Sequence, residues 1–151
     1  MAKSTKALLT GRIQMCKTNP SIAHIGLATH GRSIQIGSNQ VSYSLSDRSI
    51  ERDLLAWCEA RNVPVMAYSP LGGDAGTLVR DPTLTRIGAV HNCSAAAVAL
   101  AWAIRSGKVF AIPESGSVAH VKENAVALWL TLSPEELQTL DAAFPGPAGA
   151  N

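Results

Sequence analysis

The most informative stretch of the chain is Val63-Pro64-Val65-Met66-Ala67-Tyr68-Ser69-Pro70-Leu71-Gly72-Gly73. Residues 63–67 are apolar, follow a helical pattern and precede turn residues, which predicts a strand buried on both faces of a sheet. Tyr68 and Ser69 end the apolar run, Pro70 leaves the sheet, and the two glycines allow a sharp turn. In α/β proteins, ligands bind where the carboxyl end of a strand opens into such a loop. The stretch therefore predicts a binding site at the end of this strand.

The segments on either side alternate between short strands and helices. Further strands are predicted over 38–45 and 109–112, with a fourth, Ile22 to Leu27, in the amino-terminal region. Helices are predicted from Ile50 onward and over 83–90, 95–105, 118–128 and 134–143. Strands separated by helices indicate a parallel sheet with right-handed crossovers. A doubly wound sheet and part of a β/α barrel both fit this pattern.

Capping residues support the helix boundaries. Asp81 before Pro82 and Ser94 before an alanine-rich run are typical helix starts. Ser133-Pro134-Glu135-Glu136 has the pattern of a capping box. Asn62 and Gly107 are expected to end the helices that precede them.

Length and composition predict one ordinary globular domain. The chain has 151 residues, of which 46% are hydrophobic and 16% charged, with a net charge of +2. That charge is too small to favour nucleic acid or an anionic membrane as a partner. No apolar run approaches the roughly 20 residues that span a bilayer, and the first residues lack the apolar core of a signal peptide. The expected location is therefore the cytoplasm.

Other candidate reactive residues give no site by spacing. The three cysteines, Cys16, Cys58 and Cys93, have no metal-ligand spacing, so neither a disulfide nor a metal site is expected. The histidines have no nucleophile or carboxylate at a telling distance in sequence. Trp57, Trp102 and Trp129 fall on apolar faces and are predicted to be core residues.

Several motifs in order resemble the carboxyl-terminal half of the aldo-keto reductase family, from about residue 37 to residue 147. They are Asn39-Gln40-Val41, Leu54-Leu55-Ala56-Trp57-Cys58, the strand at Tyr68, Val98-Ala99-Leu100-Ala101-Trp102, Ala111-Ile112-Pro113 and Glu123-Asn124-Ala125. The resemblance implies a partial (β/α)8 TIM barrel of the α/β class. It divides the chain into a poorly defined segment 1–36, a half-barrel 37–147 and a disordered tail 148–151.

The resemblance also implies a site for NADP. Tyr68 matches the tyrosine that stacks on the nicotinamide ring, and Gln40 matches the glutamine that binds its carboxamide. Ser69, Leu71 and Gly72 match the loop that clasps the pyrophosphate. Three residues of the phosphate-binding segment after the last strand also match, Ser115, Glu123 and Asn124, and His120 is assigned to the same site at the position of a family arginine.

Two residues of that segment depart from the family. Glu114 replaces a lysine and His120 replaces an arginine, and in the family both hold the 2′-phosphate of NADP. A carboxylate repels that phosphate and suits a ribose diol, so NAD is a possible cofactor. The alternative is that Glu114 points into water and has no role.

The catalytic half of the family is not recognisable. Family members reduce carbonyls with an Asp, Tyr, Lys and His set that lies on earlier strands, whereas the two tyrosines here, Tyr43 and Tyr68, match other positions. The expected function is the cofactor-binding half of an NADP-dependent carbonyl oxidoreductase, with no catalytic residue. A small carbonyl substrate is expected only if another chain completes this half. The alternative is a non-catalytic nucleotide-binding module or an inactive truncated product. A different doubly wound enzyme would need a glycine fingerprint that the chain lacks.

An open sheet of three or four strands has free edges. Its inner face is predicted to carry Val41, Val65, Ala67 and Ala111 without cover. Unpaired edges and exposed apolar surface favour association, so self-association is expected.

Overall fold

A computed structural model of the chain describes residues 37–73 and 76–148. Three strands lie in this part of the chain: β1 (Asn39–Ser42), β2 (Val65–Tyr68) and β3 (Val109–Ala111). The α-helices are α1 (Leu54–Glu59), α2 (Pro82–Val90), α3 (Ala95–Ile104), α4 (Val118–Ala125) and α5 (Pro134–Ala143). Short 3₁₀ helices cover Ser49–Glu51, Leu78–Arg80 and Val126–Leu128. The strand predicted at residues 22–27 lies outside the described residues, as do residues 149–151 of the predicted tail.

The strands form a parallel sheet in the order β1-β2-β3. Gln40, Met66 and Phe110 stand in one register row, and Val41, Ala67 and Ala111 stand in the next. Helices connect consecutive strands, which confirms an α/β fold consistent with part of a β/α barrel. β1 is shorter than the predicted strand 38–45, because Ser44 and Asp47 pair with each other in a tight turn.

The helices cover one face of this sheet. Nine of the ten residues of α3 are buried, and Trp102 has no exposed surface. Leu84 of α2 and Leu140 of α5 are also fully buried. The predicted core position of Trp102 is therefore confirmed, and the core lies between the sheet and α3.

The predicted inner face of the sheet is wrong. Val65 and Ala67 are 1% and 0% exposed, and Ala111 packs against Leu100 and Ala101 of α3. These three side chains therefore lie on the face of the sheet that the helices cover. The open face carries the alternate residues, among them Gln40 and Tyr68. The prediction that the β2 strand is buried on both faces is also wrong for the described residues, because an uninterrupted apolar run has no alternation to show which face is covered.

Most helix boundaries follow the capping residues. Asp81 accepts hydrogen bonds from the N–H groups of Thr83 and Leu84. Ser133 and Glu136 form the reciprocal capping box that the sequence predicts. Asn62 and Gly107 have φ angles of 52° and 69°, the left-handed conformation that ends a helix.

Two helix predictions and one core prediction need correction. Residues 49–51 form a separate 3₁₀ turn, and α1 starts only at Leu54. α4 stops at Ala125 instead of continuing to residue 128. Trp129 is 78% exposed, so its predicted core position is wrong. α4 likewise has no buried residue.

A polar cluster joins the end of β1 to the helical layer. Tyr43 donates a hydrogen bond to Glu51 (2.7 Å) and accepts one from Arg105 (3.1 Å). Arg48 bonds the same carboxylate and also the backbone oxygen of Phe144. Both guanidinium groups lie over the ring of Trp102. The cluster ties the segment after β1 to α3 and to the end of α5.

Candidate functional site

A cleft of about 600 Å³ lies at the carboxyl ends of β2 and β3. Two segments form most of its wall: the loop that follows β2 and the turn between β3 and α4. Its lining residues are Tyr68, Ser69, Pro70, Leu71, Gly72, Gly73, Gly76, Val79, Ile112, Pro113, Glu114, Ser115 and Gly116. A cleft at this end of a parallel sheet is where α/β proteins bind their ligands.

The first wall is a tight turn at the end of β2. Tyr68 is 43% exposed, so one part of its ring faces the cleft. Ser69 has a φ of 49°, and the N–H of Gly72 donates to the Ser69 carbonyl at 3.0 Å. Gly72 has a φ of 88°, and a Cβ there would lie 3.2 Å from the Thr77 hydroxyl. The turn therefore requires glycine at this position, and it brings backbone close to the cleft.

The second wall is the turn before α4. The Ser115 hydroxyl donates to the carbonyl of Ser117 at 3.1 Å and lies 3.2 Å from the N–H of the same residue. Ser117 is the N-cap of α4, yet its side chain makes no capping bond. The Ser117 hydroxyl therefore leaves the first amides of α4 uncapped. Helix amino termini of this kind attract anions because their amides point outward.

The structure brings together most of the residues proposed from the sequence. Five of them line the cleft: Tyr68, Ser69, Leu71, Gly72 and Ser115. Glu114, the residue that departs from the family pattern, also lines it. Gln40 is exposed on the open face of β1, one strand away from Tyr68, and does not line the cleft itself.

The residues proposed on α4 lie elsewhere. His120 and Glu123 are exposed and line no part of the cleft. Asn124 lines a separate apolar groove beside β3. Val79, in contrast, lines the cleft and was not predicted from the sequence. The sequence signal was weak, because Val79 lies next to Leu78 in a short apolar pair with no motif around it.

Other reactive groups of the described chain lie apart from the cleft. Within residues 37–73 and 76–148, no cluster of His, Cys, Asp and Glu could hold a metal ion. Cys58 and Cys93 are free thiols, and burial raises the pKa of each. Burial also raises the pKa of Tyr43, whose hydroxyl is held by Glu51 and Arg105.

No helix of the described ranges is both long and apolar enough to cross a bilayer. α2 and α3 reach the necessary length only as a pair, and that pair is bent by 90°.

The parallel strands, the helical layer and the strand-end cleft define an α/β protein built as part of a β/α barrel. The model of the Aldo/keto reductase family matches residues 10–144. The chain belongs to this family. The match starts earlier than the resemblance, so it includes much of the segment that the sequence left undefined.

Two relatives with curated descriptions show the extent of the similarity. Methylglyoxal reductase YeaE of Escherichia coli is 47% identical over 118 residues, which cover 76% of this chain and 42% of that protein. Aldo-keto reductase family 1 member A1 of Bos taurus is 35% identical over 100 residues, covering 61% of this chain and 30% of that protein. The chain therefore spans less than half the length of these relatives.

The solved structures agree with this assignment. An aldo-keto reductase from Klebsiella pneumoniae in complex with NADPH matches with a TM-score of 0.70 and 41% identity. The match covers 76% of this chain and 42% of that one. A second Klebsiella pneumoniae structure, in complex with NADP and acetate, has a TM-score of 0.70 and 42% identity. Both of these Klebsiella pneumoniae proteins were thus solved with a nicotinamide dinucleotide bound.

Proposed function

We propose that this chain supplies the nicotinamide dinucleotide site of an aldo-keto reductase, an oxidoreductase that reduces a small carbonyl compound. The observation that carries the proposal is that Tyr68, the turn Ser69–Gly72 and Ser115 meet at one cleft. Tyr68 offers a flat ring for stacking on nicotinamide, and Gln40 on the next strand can both donate to and accept from a carboxamide. The two turns supply backbone amides for phosphate groups.

The cofactor preference follows from Glu114. This residue is exposed and lines the cleft next to Ser115. Its negative charge repels the 2′-phosphate of NADP and can accept hydrogen bonds from the 2′-hydroxyl of NAD. We therefore expect the chain to discriminate against NADPH more than a family member with lysine at this position.

The chain alone should bind the cofactor without reducing carbonyls. A tyrosine general acid must reach the substrate, but Tyr43 is 1% exposed and its hydroxyl is bonded within the helical layer. Tyr68 is assigned to stacking. The sequence contains no further tyrosine. These observations also favour the alternative of a non-catalytic nucleotide-binding module.

Equilibrium titration tests the cofactor site. NADH and NADPH are added to the purified chain while its tryptophan fluorescence is recorded, and saturable binding at about millimolar concentration or tighter is expected. Tyr68→Ala should weaken binding roughly fivefold, because aromatic stacking contributes about 1 kcal/mol. Phe110→Ala is the matched control, since Phe110 is also an exposed aromatic residue of this sheet but lies outside the cleft. No binding of either cofactor, or equal losses in both variants, would refute the proposal.

Carbonyl-dependent oxidation of NADPH separates the two functions. Methylglyoxal is the first substrate to test, because it is named in the description of the Escherichia coli relative. We expect no turnover by the chain alone. If the chain does turn over the substrate, and Tyr43→Phe abolishes this activity while the protein stays folded, Tyr43 is the general acid and the proposed role of the chain is wrong.

A further inference from the structure

Two turns lie next to each other at the carboxyl ends of β1 and β2. The first, residues 44–47, follows β1 and is called the serine turn here, and the second, residues 69–72, follows β2 and is called the clasp turn. The N–H of Tyr43 donates to the carbonyl of Tyr68 at 3.4 Å, and Ser42 stands opposite Tyr68 in the register of the sheet. The strand pair therefore brings the start of one turn beside the start of the other.

Hydrogen bonds within the serine turn fix its conformation. Ser44 is 1% exposed, and its backbone N–H and C=O groups both pair with Asp47, each at 3.1 Å. The Ser44 hydroxyl accepts from the N–H of Asp47 at 3.2 Å and lies 3.0 Å from the hydroxyl of Ser46. Every polar group of this buried serine thus has a partner, which makes the turn rigid and gives the Ser46 hydroxyl a defined position.

Asp47 connects the serine turn to the end of β1. Its carboxylate accepts a hydrogen bond from the hydroxyl of Ser49 at 2.8 Å. Burial acts to raise the pKa of Asp47, but hydrogen bonds from Ser42 and Ser49 outweigh it and hold that pKa below its usual value. Ser42 is the last residue of β1 and the register partner of Tyr68. The network of the serine turn therefore extends to the strand pair that carries Tyr68.

The serine turn contacts the clasp turn at Gly72. A Cβ on Gly72 would lie 3.4 Å from the hydroxyl of Ser46 and 3.2 Å from that of Thr77. The clasp turn contains two residues in the left-handed conformation, Ser69 with a φ of 49° and Gly72 with a φ of 88°. A residue other than glycine keeps this conformation only where its surroundings determine it. The clasp turn therefore depends on support from outside itself, and the Ser46 hydroxyl is in place to give it.

We propose that the serine turn holds the clasp turn in the conformation that binds the pyrophosphate of a dinucleotide, with Ser44 and Ser46 as positioning residues. Ser44 fixes the Ser46 hydroxyl, and that hydroxyl limits the movement of Gly72. Neither serine lines the cleft, so both act through the clasp turn and not by touching the ligand. The inference rests on the proposed function, because it concerns the same dinucleotide site.

Amide hydrogen exchange of the ligand-free chain tests the contact between the two turns. The N–H of Gly72 donates to the carbonyl of Ser69 at 3.0 Å, so its exchange reports the opening of the clasp turn. Ser46→Ala should speed this exchange about threefold or more, because the turn then opens more often. Ser46→Thr keeps the hydroxyl and should match the wild type. Ser106→Ala is the matched control, since Ser106 is also an exposed serine with a local hydrogen bond, from Lys108, but lies at the opposite end of the sheet.

Titrations with NADH and with ADP-ribose test the consequence for binding. ADP-ribose contains the pyrophosphate but no nicotinamide. Ser46→Ala and Ser44→Ala should each weaken both ligands about threefold, the loss expected if the binding-competent fraction of the clasp turn falls to about one third. Tyr68→Ala should weaken NADH alone, because ADP-ribose has no ring to stack on this tyrosine. Ser46→Thr and Ser106→Ala should bind both ligands as the wild type does, and circular dichroism checks that each variant is folded.

Unchanged Gly72 exchange in Ser46→Ala would overturn the inference, and so would faster exchange without any loss of affinity. Equal losses of affinity in Ser106→Ala would also overturn it, because the effect would then not depend on contact with Gly72. A wild-type chain that binds neither ligand would refute the proposed function and this role of the serine turn together. Because the exchange measurement contains no ligand, a failed contact between the turns can be told apart from a failed cofactor site.

Discussion

The two tyrosines of the chain have different roles, which their surroundings decide. Tyr43 is buried, and its hydroxyl is bonded to Glu51 and Arg105. Tyr68 is 43% exposed at the mouth of the cleft. The first residue is part of the core, and the second is available to a ligand.

At the residue scale, Glu114 allows a charge-reversal test. Glu114→Lys should raise the affinity for NADPH relative to NADH by about tenfold or more, because a repulsive charge in the cleft becomes attractive. Glu59→Lys is the control, since Glu59 is an exposed carboxylate at the end of α1, outside the cleft. Competitive titration with both cofactors measures the ratio. An unchanged ratio in Glu114→Lys would mean that this side chain points into water.

Single residues also show how far the sequence can be interpreted. Tyr68 and Ser115 could be placed at one site, because both follow strands whose carboxyl ends must lie at the same edge. Trp129 could not be placed correctly, because its exposure depends on which elements lie beyond β3. Val65 and Ala67 were assigned to the wrong face for the same reason, since burial depends on packing partners that a single strand does not specify.

At the element scale, the junction of α2 and α5 combines a cap with an ion pair. His91, at the end of α2, lies 2.7 Å from the carboxylate of Glu136. Burial acts to raise the pKa of Glu136, but hydrogen bonds from Ser133 and His91 outweigh it and hold that pKa below its usual value. Cys93 is the other titratable neighbour of this carboxylate.

This junction predicts a pH dependence of stability. A carboxylate whose pKa is lowered by folding stabilises the protein above its unfolded pKa of about 4.3, and this contribution is lost as the pH falls through the lower folded value. Glu136→Gln keeps a capping side chain but removes the charge. The free energy of unfolding should therefore fall less steeply below about pH 5 in Glu136→Gln than in the wild type. Glu135→Gln, an exposed neighbour, is the control and should follow the wild type. If the free energy of unfolding depends on pH in the same way in all three proteins, Glu136 does not have this role.

Gly88 permits the close approach of α2 to the turn that follows it. A Cβ at this position would lie 2.6 Å from the carbonyl oxygen of Cys93, a backbone atom that cannot easily move. Gly88→Ala should therefore destabilise the chain by about 1–3 kcal/mol, as overpacked sites do. Gly116→Ala meets no atom within 4 Å and should change stability by less than about 0.5 kcal/mol. Urea unfolding measures both, and equal stabilities would show that the turn can shift.

The elements themselves were predictable where local chemistry sets them. Asp81 and Ser133 mark helix starts because their side chains bond the first free amides. The end of α4 at Ala125 had no such signal, because no glycine or asparagine in the left-handed conformation marks it. Local residues determine the capped helix starts, whereas tertiary packing determines the boundaries that carry no cap.

At the scale of the whole molecule, the described sheet leaves apolar side chains exposed on its open face and along β3. Phe110 and Ile112 are each 40% exposed, and Trp129 is 78% exposed. In the absence of a partner, this surface should drive self-association at micromolar concentration. Sedimentation of the isolated chain over a range of concentrations measures this association. A monomer at all concentrations, with cooperative unfolding, would contradict the expectation.

The cleft at the carboxyl ends of β2 and β3 is proposed to hold a nicotinamide dinucleotide. Amide chemical shifts of the isotope-labelled chain, recorded during NADH and NADPH titrations, test this proposal residue by residue. Shifts are expected at residues 68–73 and 115–117 and at the side-chain amide of Gln40, with His91 and Glu136 unaffected. Shifts confined to the apolar groove beside β3, or no shifts at millimolar cofactor, would refute the proposal.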